Sequence, residues 1–105
     1  MSIRLSCVDA VSTLDDTILD QLPATLGRGD EADVCIYDTW ASRVHCRLFV
    51  RDDQLYIEDL GSSNGTMVNG ELVSECPLDS GDHLTVGITT FLVRCHRLPQ
   101  TFHGV

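Results

Sequence analysis

Along most of the chain apolar and polar residues alternate one by one, in short bursts. The runs IRLSCV (3–8), VCIY (34–37), HCRLFVR (45–51), QLYIEDL (54–60), TMV (66–68), ELV (71–73), HLTVG (83–87) and TTFLVRCHRL (89–98) all carry this pattern. Successive side chains of a strand point to opposite faces, so each run predicts a strand with one dry and one wet side. In the third run Cys46, Leu48 and Val50 face one way and Arg47, Phe49 and Arg51 the other. "DDQ" then turns the chain into Leu55 and Ile57 alternating with Tyr56 and Glu58, which is a hairpin. Asn69-Gly70, between TMV and ELV, is the strongest short-range signal for a second hairpin, with a type I′ turn.

One window breaks the rule. In VSTLDDTILDQL (11–22), Val11, Leu14, Ile18 and Leu22 mark a weak helical stripe. The segment is also rich in Thr, Ile and Val and lies between strand-like runs, so the helix is discounted in favour of a long hairpin across Asp15-Asp16. Strands at this spacing, separated by turn signals, predict an all-β sandwich.

The 105 residues suit one domain, expected over residues 1–98, followed by the short tail PQTFHGV (99–105). The N-terminal MSIRLSCVDA alternates where a signal peptide would be continuously apolar, and no run approaches a membrane span, so a cytoplasmic protein is expected. Five scattered cysteines, an odd number without a Cys-x-x-Cys pair, argue against a disulfide framework and a standard zinc site. His45-Cys46 and Cys95-His96 resemble ligand pairs, but neighbours on a strand point apart, so no metal is expected there.

Net charge is −9, and all seven basic residues are arginine. Such a chain repels polyanions, which excludes nucleic acid and anionic membranes as expected partners. Arg28, Arg43, Arg47 and Arg51 nevertheless fall within 24 residues. They are either solvated charges on strand faces or part of a local site for one compact anion.

Three strand-end stretches favour the site. LGRGD sets Arg28 between Gly27 and Gly29, WASRVHC carries Ser42, Arg43 and His45, and GSSNGT holds more small polar residues than a minimal turn needs. In a sandwich, loops distant in sequence gather at one edge. Converging Arg28, Ser42, Ser63 and Asn64 would offer an arginine fork, hydroxyls and glycine-bordered amides, the donors that hold a phosphate dianion without a metal.

Taken in order, Gly27-Arg28, Ser42-Arg43-x-His45, Asp59-Leu60-Gly61-Ser62-Ser63-Asn64-Gly65-Thr66, Val68-Asn69-Gly70, and Leu78 with Gly81-Asp82 and Gly87 resemble the forkhead-associated (FHA) domain over about residues 20 to 97. The resemblance implies a β-sandwich of about eleven mainly antiparallel strands, whose apical loops bind a threonine-phosphorylated protein or peptide in Ser/Thr kinase-linked signalling. It implies no cofactor and no catalytic residue, and a monomer is expected. By position, Arg28 and Ser42 resemble the phosphate ligands, Ser63 a second hydroxyl donor, and Asn64 the residue that holds the peptide backbone. Arg43 and Asn69 border the ligand, while Gly27, His45, Gly65 and Thr66 support the site. Trp40 and Ala41 before Ser42, and Cys46 after His45, depart from the family pattern at positions other than the phosphate ligands.

Two other readings compete with this one. Ser42, His45 and Asp59 supply the residue types of a hydrolase triad, though Ser42 lacks a Gly-x-Ser-x-Gly elbow. Alternatively, the fold serves as a scaffold or dimerisation module that binds without phosphate.

Overall fold

The computed structural model describes residues 1–8 and 16–96. Among them are eleven strands: β1 (Ser2–Cys7), β2 (Thr17–Leu19), β3 (Ala24–Gly27), β4 (Val34–Cys35), β5 (Cys46–Arg51), β6 (Gln54–Asp59), β7 (Thr66–Val68), β8 (Glu71–Val73), β9 (Glu75–Pro77), β10 (His83–Val86) and β11 (Thr89–His96). They form a six-stranded sheet, β2-β1-β11-β10-β7-β8, and a five-stranded sheet, β4-β3-β5-β6-β9. β3 and β4 run parallel and the other pairs antiparallel, which is the sandwich expected from the sequence. No helix among the described residues is long and apolar enough to cross a membrane.

The alternation in sequence becomes the division between core and surface. Ile3 and Leu5 of β1, Leu26 of β3, Cys46 and Leu48 of β5, Leu55 and Ile57 of β6, Leu84 and Val86 of β10 and Val93 of β11 are all buried between the sheets. Each large aliphatic side chain so buried contributes roughly 1.5–3 kcal/mol relative to exposure. Val50 departs from the expected core face, being 41% exposed two residues before the turn. On the outer face Phe49 is 9% exposed because Tyr56 stacks on it and the Arg47 and Arg51 guanidinium groups cover it at 4.7 and 5.2 Å.

The hairpins follow the expected turns. Arg51 pairs with Gln54 around Asp52 and Asp53, both at positive φ, and Val68 pairs with Glu71 around Asn69 (φ 51°) and Gly70. The helical reading of residues 11–22 fails where it is described. Thr17–Leu19 is strand, pairing antiparallel with Ile3–Leu5, because β1 offers an open edge to a β-branched segment. Val11 and Leu14 of the stripe, Asp15 at the expected hairpin apex, and the 99–105 tail lie outside the described residues. β9 was not evident from the sequence. It is a three-residue edge strand that tolerates Pro77 because an edge residue can forgo a ladder donor.

Strand register fixes which loops meet. Leu26, Cys46 and Asp59 lie abreast in the five-stranded sheet, and Thr66, Val86 and Thr89 abreast in the other. The β3–β4, β4–β5 and β6–β7 loops and the β10–β11 turn therefore emerge at one end of the sandwich.

Candidate functional site

The β3–β4 and β4–β5 loops are joined through their backbones. Arg28 N–H donates to Ser42 O and Gly29 N–H to Arg43 O, both at 3.0 Å, and His45 N–H donates to Leu26 O at 2.8 Å. This approach requires Gly27, since a Cβ there would lie 2.1 Å from the Arg43 carbonyl oxygen. Exposed Arg28 is steadied by one further contact, Nε–H donating to Ala41 O at 2.8 Å. Its terminal guanidinium nitrogens have no protein partner among the described residues.

His45 ties the serine loop to the Asn-Gly loop and is fully buried. Its Nδ1 accepts from Ser42 N–H at 2.9 Å, so the ring proton sits on Nε2, which donates to Gly65 O at 2.8 Å. Gly65 has φ +85°, a conformation L side chains rarely adopt, and so presents that carbonyl without strain. Two more contacts close the cluster. Ser63 N–H donates to Ser42 Oγ at 2.9 Å, and Asn64 Nδ2–H to Trp40 O at 2.7 Å. Arg28, Ser42, Ser63 and Asn64 are thus brought together by hydrogen bonds between loops separated by up to 24 residues.

The β6–β7 loop is shaped by Asp59. Its carboxylate accepts from Gly61 N–H and Ser62 N–H at 3.0 Å each, from Thr66 Oγ1–H at 2.7 Å, and from the Ser62 hydroxyl, which in turn accepts from Gly65 N–H. Burial alone would raise the Asp59 pKa, but the donors from Ser62, Thr66 and Gly61 together hold it below the ordinary aspartate value. Thr66, expected as site support, is fully buried.

A hydrolase triad is not assembled. Both His45 ring nitrogens are committed to backbone partners and neither meets Asp59 or the Ser42 hydroxyl. The His45 ring faces these loops, and the neighbouring Cys46 thiol is pushed up to about 12, chiefly by burial and then by Asp59.

Arg43 and Asn69 sit differently from the cluster. Arg43 forms a two-point pair with Glu31, Nε to Oε2 at 3.0 Å and Nη2 to Oε1 at 2.6 Å. Asn69 spends its amide at the start of β10, donating to Asp82 Oδ1 at 3.1 Å and accepting from His83 N–H at 2.9 Å.

One supporting residue escaped the sequence analysis. Asp38 is a 7% exposed carboxylate that accepts from Trp40 N–H, Ile88 N–H and Thr89 Oγ1–H at 2.7–2.8 Å, tying the serine loop to the β10–β11 turn of the other sheet. Burial pushes its pKa up, but these donors outweigh that effect and leave it below the usual aspartate value. The local half was legible, because an aspartate two residues before an amide favours this turn. The contact to Ile88, fifty residues away, leaves no local signal.

Comparisons with known proteins agree with this fold. A family model described as FHA domain matches residues 24–87. The oxoglutarate dehydrogenase inhibitor of Corynebacterium efficiens is 36% identical over 70 residues, covering 67% of this chain and 49% of that protein. The glycogen accumulation regulator GarA of Mycobacterium tuberculosis is 34% identical over 70 residues, 67% of this chain and 43% of its own. The chain thus spans about half the length of the curated relatives it matches. A structure from a study of phosphothreonine-dependent FHA domain interactions superimposes with a TM-score of 0.81 at 32% identity, covering 93% of this chain and 100% of the other.

Proposed function

This chain belongs to the FHA domain family, and we propose that it is a phosphothreonine-peptide-binding module of Ser/Thr kinase-linked signalling, with Arg28, Ser42, Ser63 and Asn64 as its ligand-contacting residues. The observation that carries these assignments is the state of Arg28. In an acidic chain, Arg4, Arg43, Arg47 and Arg51 each pair with a carboxylate, whereas Arg28 has none among the described residues and is steadied through Nε beside Ser42. An arginine held in place with its fork unspent suits an external dianion. Arg94 also lacks a carboxylate partner among the described residues, but it is exposed on β11, away from the loops.

In this reading the Arg28 fork takes two phosphate oxygens and the Ser42 hydroxyl donates to a third, its oxygen being already fixed by Ser63 N–H. The Ser63 hydroxyl adds a donor. Asn64, anchored by Nδ2 to Trp40 O, turns its carbonyl oxygen to the peptide backbone. Two relatives are named an inhibitor and a regulator, which accords with a module that acts by binding. Affinity is expected in the micromolar range, about −7 to −9 kcal/mol, as for a small interface with one charged anchor. An oriented phosphothreonine peptide library tests this, and equal retention of phosphorylated and unphosphorylated pools would refute it.

A further inference from the structure

Residues 40–42 of the β4–β5 loop spend three successive carbonyls on two of the proposed ligand contacts. Trp40 O accepts from Asn64 Nδ2–H at 2.7 Å, Ala41 O from Arg28 Nε–H at 2.8 Å, and Ser42 O from Arg28 N–H at 3.0 Å. Where these carbonyls point is where Arg28 and Asn64 are held. After this stretch the chain is fixed by His45, whose ring accepts from Ser42 N–H. Before it the chain is fixed by Asp38, whose backbone carbonyl accepts from Ala41 N–H at 3.1 Å and whose Oδ1 accepts from Trp40 N–H at 2.8 Å. The other carboxylate oxygen is held from the opposite sheet, by Ile88 N–H at 2.8 Å and Thr89 Oγ1–H at 2.7 Å. It lies so close to the β10–β11 turn that a Cβ on Gly87 would come within 2.5 Å of it.

We propose that Asp38 is a positioning residue for ligand binding: through the 38–41 turn it sets the carbonyls that hold Arg28 and Asn64, and it makes their placement depend on the β10–β11 turn of the other sheet. This rests on the function proposed above. One carboxylate shared between Trp40 on one side and Ile88 and Thr89 on the other cannot shift without breaking bonds to one of them. Side chains already held in place lose less freedom when a ligand arrives, so affinity is gained without a new contact. Charge acts in the opposite sense. A carboxylate at the binding end of an acidic domain repels an anionic ligand, so electrostatics alone would make removal of the Asp38 charge beneficial. The sign of the effect therefore separates position from charge.

The test measures one phosphothreonine peptide and its unphosphorylated form against wild type, Asp38→Asn, Thr89→Val and Ile3→Val, at a temperature where each is folded. In Asp38→Asn one acceptor oxygen becomes a donor, which cannot serve both Trp40 N–H and Ile88 N–H. Phosphopeptide affinity is expected to fall about 5- to 20-fold, the scale of immobilising two side chains anew on binding. Thr89→Val removes one donor to the carboxylate from a residue outside the proposed ligand contacts and should weaken binding about 2- to 4-fold. Ile3→Val, in the core at the opposite end of the sandwich, should lower stability and leave affinity unchanged. In the free proteins, the nuclear magnetic resonance signals of Arg28 Nε–H and the Asn64 side-chain amide should shift in Asp38→Asn and Thr89→Val and stay in place in Ile3→Val. Binding by Asp38→Asn as tight as wild type or tighter overturns the inference, as does an equal loss in Ile3→Val or a pair of side-chain signals that do not move. If Asp38→Asn does not fold, Thr89→Val decides, and unchanged affinity there overturns the inference while leaving phosphothreonine binding intact. If wild type does not distinguish the phosphopeptide from its unphosphorylated form, the functional reading falls and this inference falls with it.

Discussion

Ser63 gives its backbone N–H to the Ser42 hydroxyl oxygen, 2.9 Å away and 21 residues apart in the chain. With that oxygen engaged as acceptor, the Ser42 hydroxyl proton is left to donate outward, and one bond both joins two loops and aims a donor. Ser42→Ala is therefore expected to weaken phosphopeptide binding by about 1.5–3 kcal/mol, because it removes a charge-assisted donor and strips Ser63 N–H of its partner. Ser63→Ala keeps that backbone bond and should cost less. Titration calorimetry that ranks the two in the opposite order would reverse these roles.

Arg28→Ala should cost at least about 2–4 kcal/mol in phosphopeptide affinity with the melting temperature nearly unchanged, since the side chain is exposed and its one protein contact is to a carbonyl. Arg28→Lys should restore only part, because a point charge cannot reproduce the fork. Arg94→Ala on β11 is the control, expected to change affinity by less than about 0.5 kcal/mol. Fluorescence anisotropy with a labelled phosphopeptide decides it. Equal losses for Arg28→Ala and Arg94→Ala would mean that the anion is held by a diffuse field.

His45→Ala should unfold the domain at lower temperature as well as weaken binding. The ring is fully buried and bridges Ser42 N–H and Gly65 O, so its loss leaves both groups unsatisfied and opens a void. A loss of about 2–4 kcal/mol corresponds to a fall in Tm on the order of 10 °C or more in a domain of this size. Calorimetry showing unchanged Tm with abolished binding would place His45 among the ligand contacts.

Asp38 and Asp59 set the acid limit of stability. Each has a folded-state pKa below the ordinary 3.8, so each contributes stability that is fully present above that value and is lost as pH falls through the lower folded-state value. Denaturant midpoints should hold from neutral pH to about 5 and then fall steeply below about 4. Asp59→Asn should destabilise by about 1.5–3 kcal/mol at neutral pH and flatten the acid limb, because the amide cannot accept all the donors from Gly61, Ser62 and Thr66. A variant as acid-sensitive as wild type would remove Asp59 from this account.

Gly27→Ala should damage binding and stability together. Its methyl group would meet the Arg43 carbonyl oxygen at 2.1 Å, forcing apart the strand end and loop that hold Arg28 beside Ser42. The expected cost is about 1–3 kcal/mol of stability, measured by denaturant unfolding, with weaker phosphopeptide binding alongside. Wild-type stability and affinity would mean that the two loops can separate freely.

Apart from the edge strand β9, the strands were legible in the sequence alone, though their ends were not, as the two-residue β4 within the run 34–37 shows. A period of two records which side of a strand is dry, a local matter, so Ile3, Leu5, Leu48 and Ile57 announced the core and Asn69-Gly70 announced its turn. The ordered motifs from Gly27 to Gly87 likewise picked out Arg28, Ser42, Ser63 and Asn64. Tertiary structure alone decided what these residues share. That Asp38 reaches Ile88, that Arg43 is held by Glu31, and that Asn69 turns to Asp82 and His83 depend on which strands lie abreast. Side-chain hydrogen bonds between loops leave no periodicity along the chain, because each needs only one donor and one acceptor brought within 3 Å by the packing of the sheets.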